Sequence, residues 1–318
     1  MYRFTYIGRL ATILLIVLTL LAMSTRLTPS VAQNTPIVVV TSQDTGPYQE
    51  VVSGFRRYLE QQRIEGPVLV YSLQNDPATT KTLLSTTKKE GARLFLTVGS
   101  QATHLALQEA GDTPVIAGMI VNSEEVRKAT NATGVSIDFP IETQLQWLQR
   151  FLPERKTIGI LYNPKENQDR VEEAFKVARA LGLKLVARPV DTPQSLPDAL
   201  DSLANDADVL WGFTDKTVLS PQTAEPILLF SFRHRIPFTG LSSSWVKAGA
   251  LYALDRDYTD LGTQCGEIAV KVLQGVRAGS LPPVAPRKVT YAVNLKTAQH
   301  MKVEITPSLL EGAQQVFQ

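Results

Sequence analysis

Short apolar runs alternate along the chain with longer stretches whose apolar positions recur every three or four residues. Ile37–Thr41, Val68–Tyr71, Leu94–Val98 and Val115–Ile120 are bare runs of strand length. Between them, Tyr48–Gln62 sets Val51, Val52, Phe55, Tyr58 and Leu59 on one helical face, and Ala78–Glu90 and Ser100–Ala110 continue the pattern. Runs without polar alternation, separated by amphipathic helices, predict a parallel sheet covered on both faces. The rhythm pauses at Asn131–Pro140 and starts again. A helix ends before Pro153, and strands follow at Ile158–Tyr162, Leu185–Pro189, Val209–Phe213 and Pro237–Thr239. Helices are expected at Val171–Leu181, Leu196–Leu203 and Glu225–Arg235. After Gly249 come a strand, a helix over Asp257–Ala278, a turn at Leu281-Pro282-Pro283, a strand at Val289–Val293 and a terminal helix near Ser308–Phe317. Two β-α-β-α series of about 100 residues each predict two α/β lobes, with a hinge near Ser136–Ile141.

The opening residues follow a different pattern. Arg3 and Arg9 precede a largely apolar, uncharged run from Leu10 to Met23, and Ser30-Val31-Ala32 closes the segment. This is the n-, h- and c-region order of an export leader cut after Ala32. The run is shorter than the roughly 18–20 residues of a spanning helix, although an uncleaved leader would serve as a membrane anchor. The leader carries three arginines and no acid, so a whole-chain charge of +2 becomes −1 in the mature chain. Nothing in that balance points to nucleic acid. Cys265 is the only cysteine, which excludes an intramolecular disulfide; in a helical pattern it reads as a small buried apolar residue.

One unit occurs in both series. Leu94–Val98 runs into Gly99-Ser100-Gln101 and a helix; Asp208–Phe213 runs into Thr214-Asp215-Lys216 and a helix. Both put hydroxyls at the carboxyl end of a parallel strand, where open α/β sheets bind ligands and helix N-termini favour anions. Taken singly, Ser100 and Thr214 read equally as helix caps. Ser42-Gln43, with Tyr48, lies on the same predicted edge as Ser100. Ser242-Ser243-Ser244-Trp245 offers hydroxyls beside an aromatic wall, or a solvated turn with Trp245 in the core. His104, His234 and His300 stand apart, with no partner at metal-ligand spacing, so no metal or cofactor is expected. Ser100 and His104 are four apart on a helix, but no nucleophile elbow or orienting acid accompanies them. An esterase is therefore the weakest of the functions weighed.

Four segments carry a resemblance: Lys156–Pro164 (KTIGILYNP), Thr214-Asp215-x-Thr217-Val218, Gly249-Ala250-Leu251, and Asp257-Tyr258-x-Asp260-Leu261-Gly262. Over nearly all of the mature chain the sequence resembles the ABC-transporter substrate-binding family that includes tryptophan- and tyrosine-type binders. The resemblance implies the type I periplasmic-binding-protein fold: two Rossmann-like lobes with parallel sheets, joined by a hinge that the chain crosses three times. With the leader at 1–32, it implies a first lobe of 33–138 plus 256–284 and a second of 139–255 plus 285–318. It carries over Ser100, Thr214 with Asp215, and Asp257 with Tyr258, while Ser100-Gln101 stands where the family often has a Thr-Pro turn. Asn122, after Val121, occupies the turn where the family often has Thr-Asp.

The expected function is solute capture for a membrane permease by an exported monomer that is not an enzyme. An amino-acid-like solute would set its carboxylate on the helix N-termini with Ser100 and Thr214. Its amine would meet Asp215, and its apolar part would meet Tyr48 or Trp245. A sensory co-receptor of the same fold, signalling to a separate membrane partner, is the alternative.

Overall fold

A computed structural model describes residues 35–73, 76–121 and 123–318, so Asn122 and the expected leader lie outside the described residues. The first sheet is parallel and five-stranded: β1 (Ile37–Thr41), β2 (Val68–Ser72), β3 (Leu94–Val98), β4 (Val115–Ile120) and β5 (Ala132–Ser136), in the order β2-β1-β3-β4-β5. Its helices are α1 (Gly46–Gln61), α2 (Pro77–Lys89), α3 (Ser100–Glu109) and α4 (Glu124–Lys128). Successive strand residues serve opposite faces. Ile37 and Val39 pack with Phe55 of α1, while Val38 and Val40 belong to the cluster of Leu84 and Leu105 from α2 and α3. That two-sided burial is why β1 shows no polar alternation, and burying a side chain such as Phe55 contributes about 1.5–3 kcal/mol.

The chain then passes into a second layer. It runs through α5 (Ile141–Phe151), β6 (Thr157–Tyr162), α6 (Pro164–Ala180), β7 (Lys184–Pro189), α7 (Leu196–Asp201), β8 (Val209–Trp211), α8 (Ala224–His234), β9 (Phe238–Gly240), α9 (Ser243–Ala248) and β10 (Tyr252–Arg256). From β10 it returns to the first sheet as α10 (Tyr258–Leu273), which packs along α1. It comes back with β11 (Val289–Asn294), α11 (Leu295–Met301), α12 (Pro307–Glu311) and β12 (Gln315–Phe317). The second sheet has seven strands in the order β12-β11-β10-β9-β8-β6-β7.

The close contact of α1 with α10 depends on residues without side chains. A Cβ at Gly262 would overlap the carbonyl of Val51, and one at Gly54 the carbonyl of Thr259. Cys265 is fully buried in this seam, and burial pushes its thiol up to about 12, so it packs as a small apolar group. The outer side of α10 is tied to the returning chain. Arg287 donates from Nε and Nη2 to the two carboxylate oxygens of Asp260, both at 2.9 Å, and from Nη1 to Glu267 at 2.9 Å.

Several details differ from the sequence pattern: α6 starts at Pro164 and not Val171, and α4 and α9 form where no helix was expected. Strand β5 fills part of the expected pause, because its Ala132-Thr133-Gly134 start carries no apolar run. β11 lies antiparallel to β10, so the second sheet is mixed. The helix expected to reach Ala278 ends at Leu273, with a short 3-10 turn at Ala278–Ser280. The expected terminal helix stops at Glu311, and Gln315–Phe317 joins the sheet edge beside β11.

Candidate functional site

The carboxyl ends of β4, β8, β9 and β10 converge with the connection Ile137–Pro140 on a cavity of about 190 Å³. Val121 reaches it from the first lobe and is half exposed. Trp211, Gly212, Tyr252 and Arg256 line it from the second lobe, and Asp138 and Phe139 from the connection. Trp211 is held rigidly: its Nε1 donates to Gln144 at 3.2 Å, and its ring meets Phe213 edge-on. Gln144 in turn donates to the carbonyl of Phe139 at 2.8 Å, which fixes the connection against α5. Tyr252 stacks on Phe151 at 3.9 Å, and burial holds its phenol well above the ordinary range. The cavity opens into a wider cleft of about 1190 Å³ that shares Val121, Asp138 and Thr214 and is bordered by Lys165, Arg170 and Lys216.

Charge in this region is mostly committed. Burial raises the carboxyl pKa of Asp138, and the nearby Arg170 and Arg256 oppose that shift. Arg170 lies 3.7 Å from Asp138, covers the Phe213 ring at 4.7 Å and donates to the carbonyl of Thr214. Asp215 is 3% exposed. One of its oxygens accepts the N–H groups of Thr217 and Val218, each at 2.9 Å; the other accepts the Asn163 N–H at 2.6 Å and the Asn167 amide at 2.8 Å. A carboxylate offers about four acceptor positions, and here all four are filled. The acceptor positions expected to meet a solute amine are thus taken by the chain itself, and Asp215 joins the loop after β8 to the start of α6.

The family described as ABC transporter substrate binding protein matches residues 35–317. The chain belongs to this family. Such substrate-binding proteins bind small solutes and work with a membrane permease. This one is similar to the tyrosine-binding protein of Clostridioides difficile (strain R20291), with 25% identity over 243 residues, 73% of this chain and 69% of the relative. Its fold is the type I periplasmic-binding-protein fold. The ligand-free, open structure of a substrate-binding protein with adhesive properties from Clostridium difficile is similar at a TM-score of 0.73 and 24% identity, over 89% of this chain and 99% of that one. The ABC domain in complex with L-Trp from Streptococcus pneumonia is similar at 0.58 and 22%, over 88% and 100%.

Within this substrate-binding protein the residues singled out from sequence fall into several places. Thr214 lines both the cavity and the cleft. Ser100 and Gln101 are exposed at the start of α3, where Gly99, at φ 94°, takes the cap position. The Ser42 hydroxyl accepts the Ala102 N–H at 2.9 Å and so serves that same helix end from β1. A Cβ on Gly99 would sit 2.6 Å from that hydroxyl and 3.0 Å from the Tyr48 ring, so side chains crowd this turn. Gln43 and Tyr48 line a different cavity, about 570 Å³, between α1 and β2. Ser242 precedes α9, and Trp245 packs edge-on against Phe238 in the second-lobe core. Asp257 caps α10 by accepting the Asp260 N–H at 2.8 Å. Asp257 and Tyr258 line a side cavity of about 300 Å³ that shares Arg256 with the central one. His104 is engaged by Glu125 at 2.8 Å and Gln108 at 2.9 Å, through its two ring nitrogens. The aromatic residues that line the central cavity are Phe139, Trp211 and Tyr252, whereas Tyr48 and Trp245 lie elsewhere.

Trp211, Tyr252, Asp138, Phe139 and Arg256 were not singled out. Trp211 and Tyr252 lie in apolar strand runs, where a pocket wall and a core residue look alike. Arg256 did leave a signal, as a cation at the end of an apolar strand beside the Asp257-Tyr258 motif.

Proposed function

We propose that this chain is the exported solute-binding component of an ABC importer and closes on a small amino-acid-like solute between its lobes. The cavity at the strand carboxyl ends carries this reading, since Val121 on one side faces Trp211 and Tyr252 on the other. Apolar walls with a few placed polar groups are what a small-molecule site needs. The tyrosine-binding relative and the neighbour solved with L-Trp support an amino-acid-like solute. The moving bodies are 33–138 with 256–284 and 139–255 with 285–318, turning about Ser136–Ile141. Closure would bring the exposed starts of α3 and the Thr214 turn together. The protein acts outside the cytoplasm as a monomer, delivers solute to a permease and carries out no chemistry on it.

A thermal-shift panel on the mature protein tests this reading. It should hold aromatic and aliphatic amino acids, sugars, purines and small carboxylates. A ligand at 100 times its dissociation constant adds about 2.7 kcal/mol of stability. A shift with an amino acid, together with a smaller radius of gyration in solution scattering, is expected. A shift confined to sugars or purines would remove the amino-acid-like solute.

A further inference from the structure

Arg256 is held differently from the other structural arginines. Arg287 has a two-pronged carboxylate partner in Asp260, and Arg170 has Asp138, Asn167 and the Thr214 carbonyl. The Arg256 side chain is only 13% exposed. Its Nε is buried with no hydrogen-bond partner. Its Nη1 reaches the neighbouring Asp255 at 3.5 Å, the outer limit of a hydrogen bond, and its guanidinium lies 5.3 Å from the Phe139 ring centroid. The Tyr258 phenol lies beside both Arg256 and Asp255. A guanidinium is a planar fork of donors suited to a two-oxygen anion. Among the described residues no carboxylate grips this one in that way, although it lines both the central and the side cavity. Burying an unfilled donor costs stability, so the arrangement favours a role outside folding.

Among the described residues, the acids nearby do not offer a matching place for an amine: Asp255, which lines the side cavity with Arg256, accepts the Arg256 main-chain N–H at 2.8 Å and is reached by its Nη1. Asp138 is, among the described residues, the only acid lining the central cavity, and it lies 3.7 Å from Arg170 and near Arg256. Asp215 is filled, and Asp257 caps α10. We propose that Arg256 binds the carboxylate of the solute and that the α-amine is dispensable, so that apolar monocarboxylates without an amine are ligands of this cavity. The carboxylate completes the Arg256 fork, and the apolar body lies against Trp211 and Tyr252. This inference rests on the cleft being the solute site.

Calorimetry with three probes separates the groups: L-phenylalanine, 3-phenylpropanoate and 2-phenylethylamine share a ring and differ in charge. The amine-free acid should bind within about tenfold of the amino acid, a difference the size of one ordinary hydrogen bond. The carboxylate-free amine should give no heat. Arg256→Gln should weaken both acids by about thirtyfold or more, and Arg256→Lys by less. The ligand-free thermal midpoint of Arg256→Gln should equal or exceed that of the wild type, which separates lost binding from lost folding. Amino-acid binding that survives Arg256→Gln, or requires the amine, overturns the inference and leaves the amino-acid-binding cleft standing. Silence from all three probes overturns the inference; a thermal shift with some other amino acid would still leave the cleft reading standing.

Discussion

Asp215 accepts the main-chain N–H of Asn163 at 2.6 Å, joining the turn after β8 to the residue that caps α6. The same carboxylate collects three more donors, and it is almost wholly buried. Removing it strands those donors away from water. Asp215→Ala is expected to cost about 3 kcal/mol or more of folding stability, since each unsatisfied buried donor costs about 1–3 kcal/mol. Urea unfolding reads this directly. A variant as stable as the wild type would return Asp215 to the list of groups free for a solute.

Val121 gives the complementary case, because it lines the cavity from the first lobe while remaining 51% exposed. Val121→Trp should leave the thermal midpoint nearly unchanged, within about 0.5 kcal/mol, as exposed substitutions do. The added ring fills the mouth opposite Trp211 and Tyr252, so solute affinity should fall at least about tenfold. Unchanged affinity by calorimetry would place the solute elsewhere in the cleft.

Asp138 ties stability to pH. Burial lifts its carboxyl above the ordinary value of 3.8, more than Arg170 and Arg256 lower it. Above that ordinary value the unfolded chain releases the proton while the folded chain still holds it. Stability from this group is therefore full in acid and is lost as pH rises through the folded value. Asp138→Asn removes the titration while keeping the shape. Its thermal midpoint should vary less than that of the wild type from about pH 4 to 7, and should be no lower at neutral pH. Parallel curves for the two proteins would count against a strained carboxylate at the connection.

The seam between α1 and α10 admits little extra volume. Gly262→Ala pushes a methyl group into the Val51 carbonyl, which is backbone and cannot rotate away. A loss of about 1–3 kcal/mol is expected for such overpacking. Alanine at Gly275, where nothing lies within 4 Å, adds no such overlap and serves as the comparison, although its φ of 101° brings a backbone cost of its own. Equal losses at the two positions would mean that the seam itself is loose.

Much of the fold was legible because buried parallel strands print as bare apolar runs. Ile37–Thr41, Leu94–Val98 and Val115–Ile120 coincide with β1, β3 and β4 or nearly so. Strand β5 and the edge strand β12 escaped notice since neither needs a strongly apolar segment: one begins with small residues and the other is exposed along most of its length. The return of α10 to the first lobe came from the family resemblance, because periodicity describes a helix face but not its partner. The lining of the candidate cavity was legible at Thr214, where position at a strand end is a sequence property. It was not legible at Trp211 or Tyr252, since lining a cavity depends on what lies opposite. Asp215 shows the converse: an acid at a strand end looks available until its four donors are known.

The packing of α10 on α1 has a consequence for how the protein is made. Val51, Phe55 and Leu59 emerge early in synthesis, while Leu261, Cys265 and Ile268, which cover them, emerge late. A nascent chain therefore carries an open apolar surface until nearly the whole protein is available, the kind of surface that chaperones bind. Vectorial passage, from a ribosome or through a membrane, keeps the lobe that is begun first unfinished until close to the end.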